Sequence, residues 1–145
     1  MNDKPDDKPP ARNFSMQAED QPPFANHLGM RVTSISPERV TAEMTVTPQL
    51  ANRNGVLHGG AVMALADNLG GTAAVANLPP NHTTATIESK TNFFAGIPLG
   101  DVAHAECTPL HRGRTTSVWQ TRITRGDGRL AAVVTQTQIV MKKGG

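Results

Sequence analysis

Apolar and polar positions alternate with different periods along this chain, and the periods divide it into elements. Residues 1 to about 22 show no period: Pro, Asp, Lys and Gln dominate, and the few apolar side chains are scattered. Such a stretch cannot bury enough surface to offset the entropy of ordering it. It is therefore read as a flexible arm, with a short helical piece around Phe14 to Glu19, ahead of one folded domain over residues 23–145. Met30 to Ile35 forms a first strand or helix end before a turn at Ser36-Pro37. The next stretch alternates strictly, with Val40, Ala42, Met44 and Val46 on one side and Thr41, Glu43 and Thr45 on the other. That is a half-buried strand, stopped by Pro48.

From His58 to Ala76 the period-two pattern disappears. Ala, Val, Met and Leu occur all round the helical wheel, which predicts a long helix buried on every side. Leu78-Pro79-Pro80-Asn81 ends it. Four β-like stretches follow, at Thr83–Phe94, Asp101–Leu110, Thr116–Thr124 and Leu130–Met141. Asp127-Gly128 between the last two is a hairpin signal. One wholly apolar helix among five or six antiparallel strands has to be wrapped by the sheet. The expected fold class is α+β, with the sheet curved around a central helix.

Size and composition narrow the function. A chain of 145 residues is one domain by length and is long enough to bury a core without disulfides. Cys107 is the single cysteine, and the polar start lacks an apolar leader segment, so a reducing cytoplasm is the expected setting. The net charge is +2, with no basic run and no Tyr to interleave with one. A small anionic ligand suits this pattern better than nucleic acid, which calls for a basic stripe with stacking aromatics. Membrane insertion is not expected, since no apolar run approaches about 18 residues. His27, His82 and His104 share no ligand spacing, so no metal site is expected.

The candidate chemistry sits in the helix. At a helix N-terminus the first N–H groups are unpaired and carry the positive end of the dipole. Gly59 and Gly60 would let a ligand oxygen approach them, as in an oxyanion hole for acyl transfer. Asp67 lies farther along, among Ala64, Leu65, Ala66 and Leu69, with no Lys or Arg within helical reach. A carboxylate that loses hydration becomes a stronger base or nucleophile. Gly59 and Asp67 are eight residues apart, about 12 Å along a helix axis, whereas a base and its oxyanion donors must meet within about 3 Å of one reacting group. One helix cannot supply both, but two antiparallel copies can. If both elements are catalytic, the protein is at least a dimer with two shared sites.

At this point the residues are recognisable. The run N-R-N-G-V-L-H-G-G-A-V-M-A-L-A-D (Asn52 to Asp67) resembles the signature of hotdog-fold acyl-CoA thioesterases, specifically the PaaI-like phenylacetyl/aryl-CoA branch. The similarity continues through T-I-E-S-K-T-N-F-F (Thr86 to Phe94), P-L-H-R-G-R (Pro109 to Arg114) and V-W-Q (Val118 to Gln120), covering roughly Leu28 to Met141. The resemblance implies that the Gly59 N–H polarises the thioester carbonyl and that Asp67 of the opposite subunit is base or nucleophile. It puts Asn52 and His58 close to the thioester. Thr86 matches a position whose hydroxyl holds the hydrolytic water; Gly71 replaces the helix Ser or Thr of the Glu-bearing relatives. Dimers with antiparallel helices are implied, often paired again into tetramers.

For the coenzyme A moiety, His111, Arg112, Gly113 and Arg114 are the leading candidates, because Arg gives bidentate phosphate contacts. Lys90, Phe93, Phe94, Ala95 and Gly96 are weaker ones. Where many relatives carry Arg or Lys followed by Pro after the N-F strand, this chain has Ala95-Gly96. Met63, Asn68 and Gly71 are expected to wall the acyl pocket. No separate cofactor is implied, coenzyme A being part of the substrate. The expected activity is hydrolysis of an aryl or medium-chain acyl-CoA; the alternative is an acyl-CoA-binding hotdog module without catalysis.

Overall fold

The structure, a computed structural model, describes residues 12–144. Two short helices, α1 (Phe14–Glu19) and α2 (Pro23–His27), precede strands β1 (Met30–Ile35) and β2 (Val40–Thr45). A 3-10 turn at Pro48–Leu50 leads into the helix α3 (Gly59–Ala76). The remaining strands are β3 (His82–Phe93), β4 (Val102–Arg112), β5 (Thr116–Thr124) and β6 (Leu130–Lys142). All six join one antiparallel sheet in the order β1-β2-β4-β5-β6-β3, and α3 touches every strand of it. The α+β expectation of a sheet wrapped around one helix therefore holds, with element ends within two residues of those read from the pattern.

Packing explains why α3 is built from small residues. Ala61, Ala66, Ala73 and Ala74 are buried beside Leu65 and Leu69, and they let the sheet close tightly over the helix. Trp119, Met44 and Ile123 fill the space from the strands, and Trp119 donates its indole N–H to Ser117 Oγ at 2.9 Å. The β5–β6 hairpin turns at Asp127-Gly128 as expected. Arg125 and Arg129 close it with a 2.9 Å backbone bond, and Gly128 takes the positive φ of 84° that the turn requires.

Three features lie outside the sequence reading or correct it. The strands after α3 are not a simple run of neighbours, because β3 pairs with β6 at the sheet edge while β4 pairs with β2 and β5. The connection from β3 to β4 passes the entrance of α3, where Ile97 is buried and accepts a 2.8 Å bond from Leu57 N–H. Secondly, α3 is not buried on every side within its own chain. Gly60, Met63, Asp67 and Val75 are exposed, and Ala64, Asn68, Gly71 and Thr72 are partly so, which makes one open stripe at helical spacing. A sheet in one chain covers one side of a helix, and the composition of α3 exceeds what that side needs.

Thirdly, the described part of the N-terminal arm, residues 12–22, lies against the domain. The expected helix at Phe14–Glu19 packs on β1, and Arg12 donates to the carbonyls of Val75 and Leu78 at the end of α3. The Val75 carbonyl belongs to the last turn of α3 and Leu78 follows its C-cap Asn77, so a cation there both satisfies acceptors and meets the negative end of the dipole. The rest of that arm, residues 1–11, lies outside the described residues.

Candidate active site

The entrance of α3 is shaped by the loop before it. Asn52 Oδ1 accepts from the N–H of Asn54 at 2.9 Å and of Val56 at 3.4 Å, and its own N–H bonds Val56 O at 2.8 Å. His58 then caps the helix: its N–H bonds Leu50 O, and its Nδ1 accepts from Gly60 N–H at 2.9 Å. That occupies one of the two glycine donors proposed from the sequence. The Gly59 N–H has no acceptor among the described residues, so of the two glycines only Gly59 keeps a free N–H. A Cβ on Gly59 would stand 3.3 Å from the Phe93 ring, which covers this spot. Gly59, Asn52, Val62 and Phe93–Gly96 line one cleft of about 420 Å³. His58 serves this cleft by fixing the helix start.

Asp67 occupies a second cleft, of about 410 Å³, with Asn68, Gly71 and Thr86. The expected apolar burial of its carboxylate is not what its own chain provides. Asp67 is exposed on the open stripe, and α3 continues unbroken through Asn68. Nor is the carboxylate without partners. Its Oδ1 accepts from Thr86 Oγ1 on β3 at 3.1 Å and from Gln136 Nε2 on β6 at 2.9 Å. Gln136 Nε2 also lies 3.0 Å from Thr86 Oγ1, and Gln138 Nε2 lies 2.7 Å from it. Neutral donors, not a cation, hold this carboxylate.

Gln136 and Gln138, 2% and 1% exposed, were not singled out from sequence. The signal for them lies in the period of β6. Ala132, Val134, Gln136 and Gln138 continue one inward register, so two amides stand where aliphatic side chains are the rule. Gly70 makes room for the first, since a Cβ there would stand 2.4 Å from Gln136 Oε1.

The arm completes the second cleft. Gln17, Asp20, Gln21 and Pro22 line it opposite Thr72 and Val75. Asn68 Nδ2 donates to Gln21 Oε1 at 2.9 Å, and Gln21 Nε2 bonds Gln17 O at 2.7 Å, so a helix residue and the arm hold each other. Met63, grouped with Asn68 and Gly71 from sequence, lies outside this cleft on the exposed stripe one turn earlier.

The basic candidates fall elsewhere. Arg112, Gly113 and Arg114 line a third cleft, of about 370 Å³, beside Asn77 and His82 at the far end of α3. Arg112 Nη1 reaches Pro37 O and Asn77 Oδ1, each at 3.4 Å. His111 does not line that cleft; its Nε2 lies over Gly113, 2.5 Å from where a Cβ would stand. Lys90 Nζ turns to Asn92 Oδ1 at 2.8 Å on the exposed β3 edge. No group of three His, Cys, Asp or Glu able to hold a metal occurs among the described residues. Cys107 is buried, and desolvation pushes its thiol up to about 11 against a smaller lowering by a Thr121 hydrogen bond, so it is no nucleophile at neutral pH.

With the clefts described, likeness to known proteins becomes informative. The profile of the thioesterase superfamily matches residues 54–132, from the entrance loop of α3 into β6. The chain belongs to the thioesterase superfamily. It is 30% identical over 106 residues to the proofreading thioesterase EntH of Cronobacter turicensis, covering 73% of this chain and 77% of that one. It is 32% identical over 119 residues to the putative esterase PA1618 of Pseudomonas aeruginosa, covering 81% of each. The crystal structure of a mutant thioesterase PA1618 superposes with a TM-score of 0.83 at 27% identity, over 91% of this chain and 96% of that one. The Escherichia coli PaaI protein shares the fold, with a TM-score of 0.80 at 22% identity over 91% and 92% of the two chains. Among relatives so named, this thioesterase is a thioester hydrolase. Its carboxylate and its free helix-terminal N–H occupy separate clefts on one helix.

Proposed function

We propose that this thioesterase hydrolyses an acyl-CoA, aryl or medium-chain in its acyl part, to the free acid and coenzyme A. Asp67 acts as base or nucleophile, and the Gly59 N–H of a second copy receives the carbonyl oxygen as it becomes negative. The observation that carries this reading is the pairing of two incomplete clefts. A donor without an acceptor opens into one, a carboxylate held by neutral donors opens into the other, and eight residues of α3, about 12 Å, separate them.

A second copy running antiparallel along the open stripe joins each carboxylate to the opposite donor. Two further features support such a homodimer. Twelve-residue β3 has one edge with no partner strand among the described residues, and Met63, Ile87 and Phe93 are 43%, 58% and 54% exposed around it and on the stripe. Long exposed strand edges and apolar patches of this kind are where chains associate. Further pairing into a tetramer is part of the same proposal.

In each shared site, the dipole of α3 and the Gly59 N–H stabilise the developing oxyanion. Asp67 either removes a proton from water as the water oxygen adds to the carbonyl carbon, or attacks that carbon itself to give an acyl–aspartyl anhydride that water then opens. In both routes the carbon–sulfur bond breaks, and coenzyme A leaves as the thiolate and takes up the proton that water gives up. The cleft formed by Asp67 and the arm takes the acyl group, with Asn68 and Gly71 in its wall. Asn52 and Phe93–Gly96 border the path of the pantetheine arm, and Arg112 and Arg114, with His111 and Lys90 nearby, supply charge for the phosphates. A reducing cytoplasm suits free Cys107. The test is Asp67→Asn assayed against a panel of acyl-CoAs: loss of at least about a hundredfold in kcat is expected. Hydrolysis within about tenfold of the unaltered protein, roughly 1.4 kcal/mol, overturns the role of Asp67.

A further inference from the structure

Thr86 carries one proton and two lone pairs, and all three are spoken for. An ionised Asp67 only accepts, so the hydroxyl proton goes to Oδ1, 3.1 Å away. The lone pairs then face Gln136 Nε2 at 3.0 Å and Gln138 Nε2 at 2.7 Å, both donors. On its other side Gln138 Oε1 lies 3.0 Å from the Thr84 hydroxyl, whose one proton is shared with the nearer Ile139 carbonyl at 2.8 Å. Gln136 also donates to Oδ1 directly, at 2.9 Å. One oxygen of the carboxylate thus holds two hydrogen bonds, and no donor reaches Oδ2 among the described residues. Gln136 keeps this orientation although its Oε1 is buried beside Gly70 without a partner. A buried orphan acceptor is uncommon, and it marks an amide held by something stronger than its own satisfaction.

We propose that Gln136 and Gln138 are positioning residues: they commit the Thr86 proton to Asp67 Oδ1 and leave Oδ2 as the oxygen that reacts. Thr86 in this arrangement has no lone pair free for water, so it orients the carboxylate instead of the hydrolytic water that the family resemblance assigned to it. The proposal rests on Asp67 being the catalytic carboxylate. It adds which of its oxygens reacts and what fixes that choice.

A double-mutant cycle tests it, with kcat and KM measured on the acyl-CoA that the unaltered protein turns over fastest. Gln138→Met removes an N–H that touches Thr86 and not Asp67, in a side chain of similar length. It is expected to lower kcat by about tenfold with KM within about twofold. Thr86→Val is expected to cost at least as much, the double variant no more than Thr86→Val alone, and Thr86→Ser to recover most of the loss. Losses that multiply in the double variant, or Gln138→Met within about twofold in kcat, overturn the proposal. Should Gln138→Met not fold, Thr86 on the exposed edge strand decides: Thr86→Val within about twofold of the unaltered protein overturns it. Asp67→Asn run alongside separates the two readings. If Asp67→Asn stays active, the catalytic carboxylate falls and the proposal with it; if it is inactive while Gln138→Met is unaffected, only the positioning falls.

Discussion

The two ends of the proposed chemistry are made in different ways by the same helix. At the entrance of α3 the active group is backbone: a Gly59 N–H left over when His58 capped Gly60, backed by the dipole of an 18-residue helix. Two turns on, the active group is a side chain, and its position depends on β3 and β6 through Thr86 and Gln136. The first end tolerates sequence change as long as the backbone path is kept and nothing fills the space under Phe93. The second end fails if any of several separate side chains changes. A backbone donor is preorganised by the fold, whereas a carboxylate has to be held by partners.

The largest expected effect removes the backbone donor while sparing the helix. Gly59 is the first helical residue, where proline is well accepted, and the φ and ψ of His58, −60° and 136°, already suit a following proline. Gly59→Pro is expected to lower kcat by about 10²–10³-fold, the usual loss for one oxyanion donor, with a circular dichroism spectrum unchanged. Gly59→Ala, which sets a Cβ 3.3 Å from the Phe93 ring but keeps the N–H, is the control for the filled space and is expected to lose much less. Retained activity in a folded Gly59→Pro protein breaks the proposed division between backbone and side-chain ends.

The next effect concerns only the carboxylate end. Deleting residues 1–22 removes Gln17, Asp20 and Gln21 from the Asp67 cleft and the Arg12 contacts from the end of α3. Relative kcat/KM between the smallest and largest acyl groups of a panel is expected to shift by about tenfold, and the melting temperature to fall. An unchanged acyl preference would remove the arm from the site. A smaller effect is expected from Arg112→Ala with Arg114→Ala. Both lie at the far end of α3, so KM should rise several-fold, more at low salt than at high, with kcat nearly constant.

Cys107 is the reference point, remote from both ends. Its thiol, pushed up to about 11 by burial, stays protonated when the unfolded thiol ionises near 9.0. The unfolded state then binds fewer protons, so stability should fall as pH rises from 9.0 to about 11. Denaturant titrations of Cys107→Val should show a shallower fall, and iodoacetamide at pH 8 should leave activity intact.

The two ends also differed in how far sequence exposed them. Gly59 was readable because the signal is local, a His-Gly-Gly at a helix start within a few residues of the polar-to-apolar transition; the cap by which His58 occupies the Gly60 N–H was not. Asp67 was readable as an anomaly in an apolar helix; of its two partners, Thr86 came only through the family resemblance and Gln136 not at all. Thr86 is 19 residues away and Gln136 is 69, and only the register of β6 beside β3 brings them together. The same limit applies to the sheet. Each strand followed from alternation, but the crossing that puts β3 next to β6 depends on the buried path of Ile97 past the helix entrance. The all-round apolar character of α3 was read as burial within one chain. The structure instead leaves the Met63–Asp67–Val75 stripe open, and the apolar surplus there fits an interface.

The central claim is that each site takes its carboxylate from one copy and its oxyanion donor from the other. Subunit mixing tests it most directly. Asp67→Asn and Gly59→Pro proteins, each inactive alone, are unfolded together and refolded as a mixture. Random pairing puts both substitutions into the same one of two sites in half of the dimers and leaves the other site intact, so about a quarter of the unaltered activity should return. If each site were instead built within a single chain, every subunit would carry one lesion, and the mixture would stay as inactive as its parts.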